Sequence, residues 1–203
     1  MKTAKNPEEV EYFVGLDNTD PKRDVYMSVF GKDLEHQKNL CVYAGDSTNG
    51  IQAINRIALL MRTDSEFIIS VSDDMEPVQD WDVLVADAFK GVDNFKTPKV
   101  LYINDGLNSR FLMVYYVANK AFYHRLGYVF CEEYTSMFAD NDLTEIAKRL
   151  DAIIPVSNFT FQHNHYTLGK TPFDETYARR NNETEFKVNE AVFNRRSREG
   201  FGL

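Results

Sequence analysis

The chain has 203 residues, of which 43% are hydrophobic and 13% aromatic, enough for one domain with a sizeable core and unlike a disordered segment. A formal net charge of -8 argues against a broad nucleic-acid footprint, which needs a cationic surface. No apolar run approaches the roughly 20 residues that span a bilayer, and the polar, acidic start MKTAKNPEEVEY lacks the apolar stretch of a signal peptide, so the expected location is the cytoplasm.

In chain order, Asn6, Pro7 and Glu8 read as the opening of a very short helix. The runs EYFVGL (11–16), LCVYAG (40–45) and FIISVS (67–72) are short, rich in β-formers and end at small or polar residues, so strands are expected there. Cys41, inside the second run, reads as a buried thiol. Neither Cys41 nor Cys131 has a CxxC partner, so no zinc site or disulfide framework is suggested. Ile51, Ile54, Ile57, Ala58 and Met61 recur at helical spacing behind Gly50, and Trp81, Leu84, Val85, Ala88 and Phe89 do so after Pro77. VLYIND (100–105) and FLMVYYV (111–117) are further expected strands. Asp142-Leu-Thr-Glu145 has the form of a capping box ahead of the stripe Leu143, Ile146, Ala147 and Leu150, which makes Asp142 the expected N-cap. AIIPVSNFTFQHNHY should be extended. The tail from Thr171 is polar, with apolar anchors at Phe173, Tyr177, Phe186, Val188 and Phe193. Arg179, Arg180, Arg195, Arg196 and Arg198 suit a solvated helical face or a local basic patch. Alternating strands and helices predict an α/β fold, a mainly parallel sheet with helices on both faces.

The sharpest local feature is Ser72-Asp73-Asp74-Met75-Glu76-Pro77, directly after an apolar strand. In open α/β sheets ligands bind beyond the carboxyl ends of strands. Two adjacent carboxylates there repel unless a cation or hydrogen bonds offset them, and a hard divalent ion shared with substrate phosphates is one physical solution. A turn in which Asp73 or Asp74 caps the next helix is the simpler alternative. Asp17, Asn18 and Asp20 likewise follow a strand. His163 and His165 stand at i, i+2 on an expected strand and point to one side.

The stretch TNGIQAINRIALLMRTDSEFIISVSDDMEP resembles the nucleotide-binding half of family-2-like GT-A glycosyltransferases, with an Asn-Gly start, a helix carrying Ala-x-Asn, a short strand and an aspartate pair in that order. The likeness covers residues ~8–90 well and the rest more loosely. It implies a GT-A-like, Rossmann-related single domain. About 1–105 would form the nucleotide-sugar half, and about 106–203 the acceptor half and tail. It also implies a divalent metal, Mn or Mg, a nucleotide-sugar donor such as a UDP-sugar, and an unidentified acceptor. By matching position, Asp74 would ligate the metal, Asp73 would bond the donor ribose and Asp17 would contact the nucleobase, with Gly50 and Asn55 where the helix packs on the nucleotide. Ser72 stands where many members have the first aspartate. Phe138-Ala139-Asp140-Asn141-Asp142-Leu143 resembles the Glu-Asp-x-Asp-Leu segment, with Ala139 in place of the glutamate, and makes Asp140 the general base. A histidine of the QHNHY run, His163 or else His165, would be a further metal ligand. Asp174 would close over the donor.

The family's first strand and its nucleotide-contacting loop have no counterpart ahead of EYFVGL. A fragment, a sheet that closes without that strand, and a strand supplied by a partner would each account for this. Direct pairing, another segment or a second chain should close the gap between EYFVGL and FIISVS. Two alternatives stand beside an inverting glycosyltransferase. One is a catalytically silent sugar- or protein-binding module on a degenerate GT-A fold. The other is a nucleotidyltransferase, for which a glycine-rich, basic N-terminal loop would be expected.

Overall fold

The computed structural model describes residues 3–34, 39–60, 64–72, 74–107, 111–173, 178 and 182–203. Met61, Asp73, Asp174, Tyr177, Arg179 and Arg180 therefore lie outside the described residues. The fold is mixed α/β, with six α-helices among the described residues. Its elements run β1 (Tyr12–Asp17), α1 (Arg23–Leu34), β2 (Leu40–Gly45), α2 (Gly50–Ala58), β3 (Phe67–Ser70), β4 (Met75–Glu76), α3 (Trp81–Ala88), β5 (Val100–Asn104), β6 (Tyr116–Asn119), α4 (Lys120–Leu126), α5 (Ala139–Arg149), β7 (Ile153–Thr160), β8 (Gln162–His163) and α6 (Glu183–Arg198).

The strands form a β1-β2 pair, a four-stranded sheet of order β3-β6-β5-β7, and a β4-β8 pair. The expectation of a mainly parallel sheet is corrected. β1-β2 and β5-β7 are parallel, whereas β3-β6, β5-β6 and β4-β8 are antiparallel. Parallel neighbours need a crossover between them. α1 supplies one for β1-β2, while among the described residues no helix separates β5 from β6, and β6 returns antiparallel between β3 and β5. β3, which the aspartate pair follows, is thereby an edge strand.

Alternation along the strands builds two cores. Val100, Tyr116 and Ala118 face a cluster with Phe122 of α4 and Leu143 and Ile146 of α5. Leu101, Ile103 and Val117 face the opposite cluster, with Trp81 and Val85 of α3 and neighbouring Phe89. Helices cover both faces, as expected. Asn119 links them: its Oδ1 accepts the Phe122 amide, capping α4, and the Lys99 amide just before β5, each at 3.0 Å. α2 starts at the Asn49 side chain, which accepts the Gln52 amide at 3.0 Å. It lies so close on β1 that a Cβ at Gly15 would stand 2.1 Å from Ile57 Cδ1.

Where a very short helix was expected to open, Pro7–Glu9 forms a 3-10 turn. Among the described residues before it, 3–6, there is no strand. The Thr3 carbonyl accepts the Asp80 amide at 2.6 Å, and the Asp82 carboxylate takes the amides of Lys5 and Asn6 at 2.8 Å each. Of the three ways in which the gap between EYFVGL and FIISVS was expected to close, direct pairing is not formed among the described residues. β1 pairs with β2 and β3 with β6, although Tyr12 packs in one cluster with Phe67 and Ile69.

Three further expectations are corrected. Of FLMVYYV only Tyr116 and Val117 join β6, because the Met113 amide goes instead to the Thr144 hydroxyl at 2.9 Å. Cys41 is exposed: β2 is an edge strand, and Cys41 and Tyr43 share its open face. α5 begins at Ala139, so Asp142 is inside the helix and is not its N-cap.

Candidate functional site

β3 ends at Ser70, and the chain turns back at once, with the Met75 amide donating to the Ser72 carbonyl at 3.2 Å. The Ser72 hydroxyl donates to Asp74 Oδ1, leaving Oδ2 to face inward. β4 then pairs with β8, placing Met75 opposite His163, and the Asn164 amide donates to the Asp74 carbonyl at 2.7 Å. On its other side the His163 amide donates to the carbonyl of Asp105, the residue after β5, at 3.1 Å. Backbone bonds thus hold the histidine between two aspartates that come from the carboxyl ends of β3 and β5.

His163 Nε2 lies 3.1 Å from Asp74 Oδ2, across 89 residues of sequence. Nδ1 lies 3.8 Å from Asp105 Oδ2, an ion-pair contact too long for a hydrogen bond. Asp105 is 3% exposed. The negative charge of the Asp105 carboxylate, then that of Asp74, favours the imidazolium and, against the cost of burial, raises His163 to about 9. The His165 ring stands 5.0 Å from that of His163, centroid to centroid. Burial, then the neighbouring His163 cation, lowers its pKa, and its Nδ1 contacts the Thr167 hydroxyl at 2.9 Å. Tyr115, buried alongside, donates to the Phe161 carbonyl at 2.6 Å.

Two cis ligands at the ~2.1 Å bond length of Mg²⁺ stand about 3 Å apart in an octahedral shell. The Asp74–His163 separation fits that spacing, once the bridging proton has left. Among the described residues no three Asp, Glu, His or Cys side chains converge in ligating geometry. An ion here would complete its shell with phosphate oxygens and water, the usual habit of Mg²⁺.

The other expected site residues occupy different places. Asp17 ends β1 opposite Gly45, and its Oδ1 is buried with no hydrogen-bond partner among the described residues. Gly50 opens α2 and is exposed. Asn55 is 6% exposed and spends its amide on structure. Its Oδ1 accepts the Val129 and Phe130 amides at 2.9 and 3.2 Å, and its Nδ2 donates to the Phe130 carbonyl at 2.7 Å and to Glu132 at 3.1 Å. It borders a cleft of about 300 Å³ shared with Gln52, Arg56, Tyr128 and Glu132. Asp140 lies in the first turn of α5, where its carboxylate accepts the Asn141 amide at 2.9 Å and burial pushes its pKa up.

Asp142, expected to cap, serves a different purpose. Its Oδ2 accepts Arg196 Nε at 2.7 Å and the Tyr134 hydroxyl at 3.0 Å. Arg196 also donates to Glu133 at 3.1 Å and to the Phe201 carbonyl at 3.1 Å, fastening α6 to α5. This arginine, expected on a solvated face, is 8% exposed.

The structure therefore brings Asp74, His163 and His165 together and adds Asp105, which sequence reasoning passed over. Its signal was present: a carboxylate closing an expected strand, the same rule that singled out Asp74. Among the described residues no helix is long and apolar enough to cross a membrane. No protein-family model matches this chain, and no curated protein or solved structure matches it either.

Proposed function

We propose that the chain is a metal-dependent, inverting glycosyltransferase on a GT-A-like, Rossmann-related sheet, using Mn or Mg and a UDP-sugar donor. The observation that carries this reading is the meeting of Asp74 and His163 at 3.1 Å beyond the carboxyl ends of β3 and β5. Asp74 and His163 would hold the cation, with His165 beside them. When bound, the ion neutralises charge on the departing nucleoside diphosphate. Asp17, Gly50 and Asp73 would line the donor, while Asn55 holds α2 in place for it.

Asp140 accepts the proton of the acceptor hydroxyl. The acceptor oxygen bonds to the anomeric carbon as the bond from that carbon to the diphosphate oxygen breaks, and the diphosphate leaves with the electron pair. Burial makes the Asp140 carboxylate more basic than an exposed one, which suits a proton acceptor. Asp140→Asn should lower transfer ~100- to 10,000-fold with donor affinity unchanged. Asp74→Ala should abolish manganese-dependent UDP binding in a thermal-shift titration. Transfer at the normal rate in the first variant removes Asp140 as base, and undiminished binding in the second removes the metal site.

A silent binding module is the second reading. It is favoured by Asn55 and Asp142, two family-matched positions whose side chains are spent on structural bonds. Donor hydrolysis with and without manganese separates the two.

A further inference from the structure

We propose that Asp105 is a positioning residue for His163, favouring the proton on Nδ1 and so leaving the Nε2 lone pair on the Asp74 side, where a cation would be held. The inference rests on the metal reading of the site and adds a residue that neither the sequence motifs nor the family likeness assigned.

Residue 105 grips the histidine twice. Its carbonyl accepts the His163 amide at 3.1 Å, and its carboxylate Oδ2 faces the imidazole Nδ1 at 3.8 Å. The carboxylate is itself fixed. Oδ1 accepts the Leu107 amide at 3.1 Å, in a turn that Gly106 makes at φ +73 while its amide bonds Asn104 Oδ1 at 2.7 Å. Among the described residues His163 Nδ1 is buried with no hydrogen-bond acceptor within bonding distance, and the Asp105 carboxylate is the anion that faces it. Such contacts are often long in ligand-free sites and tighten once the site is filled. On the opposite edge of the ring, Nε2 stands 3.1 Å from Asp74 Oδ2. A carboxylate behind one imidazole nitrogen and a ligating carboxylate before the other is the arrangement by which proteins fix the tautomer of a metal-bound histidine and raise its basicity.

The test is Mn²⁺ binding by calorimetry to the whole chain, its Asp105→Asn variant, His163→Gln and the double variant. Asp105→Asn should bind Mn²⁺ about 10- to 100-fold more weakly. In the His163→Gln background the same change should have no further effect, a result that a merely structural role for Asp105 would not produce. Wild-type affinity in Asp105→Asn, or an equal loss in both backgrounds, overturns the inference while leaving the metal reading intact. No Mn²⁺ binding by the wild-type chain removes the metal reading itself. Should Asp105→Asn fail to fold, the Co²⁺-loaded wild-type chain decides by NMR. A shifted, exchangeable ring N–H with a nuclear Overhauser contact to Hε1 but not Hδ2 places the proton on Nδ1, and contacts to both overturn the assignment.

Discussion

Two clusters of buried charge tie distant parts of this chain together, one around Asp142 and one around His163. At Asp142, 1% exposed, each carboxylate oxygen meets an Arg196 nitrogen and a tyrosine hydroxyl completes the set. An arginine stays charged at every accessible pH. The histidine cluster has the same sign pattern, a cation between carboxylates, yet its cation can lose its proton, and among the described residues Nδ1 has no hydrogen-bond acceptor within reach. Permanent pairing makes a fastening. A removable proton between two fixed carboxylates makes a place that a metal ion can take over.

The largest expected effect is at the fastening. Arg196→Met leaves the Asp142 charge buried without its partner, and loss of one member of a buried pair costs roughly 3–5 kcal/mol. Urea unfolding should record that loss, with Mn²⁺ affinity unchanged. A loss under about 1 kcal/mol would mean that Asp142 finds another partner or takes up a proton, and that the two clusters differ less than their geometry suggests.

The histidine cluster should answer to pH. A folded-state pKa raised from 6.5 to about 9 contributes stability that is fully present below 6.5 and is lost as pH rises through 9. In metal-free protein the stability difference between wild type and His163→Gln should therefore shrink from pH 6 to pH 9.5. Mn²⁺ must displace that same proton, so its affinity should rise about tenfold per pH unit up to roughly 9. A flat profile in both experiments would show His163 neutral throughout.

A smaller effect is expected at Asn55. Replacement by Ala unpairs the Val129 and Phe130 amides from α2, a cost of about 1–3 kcal/mol for a buried polar set. Donor affinity should change only through the position of α2, and a loss of UDP binding larger than the loss of stability would make Asn55 a direct donor contact.

Much of this architecture was legible in the residues. Strand ends rich in carboxylates pointed to Asp74, and period-2 spacing put His163 and His165 on one side of an expected strand, although β8 ends at His163 and His165 caps the turn that follows. What remained hidden depended on partners far along the chain. Asp142-x-x-Glu145 satisfies a local capping pattern, and nothing local announces Arg196, 54 residues later. α1 escaped notice because its apolar residues do not segregate: Val25 and Val29 are exposed. α4 is short and has Lys120, Ala121, Phe122 and Tyr123 all buried, so it shows no polar face to set a helical period. The position of β3 at a sheet edge follows from how β6 returns, which no single strand encodes.

The separate β1-β2 ladder has a consequence for how the molecule comes apart. Among the described residues its backbone bonds close on themselves, and what joins β1 to the four-stranded sheet is side-chain packing, Tyr12 against the cluster of Phe67 and Ile69. Hydrogen-bond cooperativity ends at such a seam, so the two sheets can open as distinct units with their own exchange protection. The β1-β2 amides would then report the lower opening free energy, and those of β5 and β6, packed on both faces, the higher. A molecule held at once by Asp17 and by Asp74 would weld the seam, and part of its intrinsic affinity would be drawn into making two units open as one.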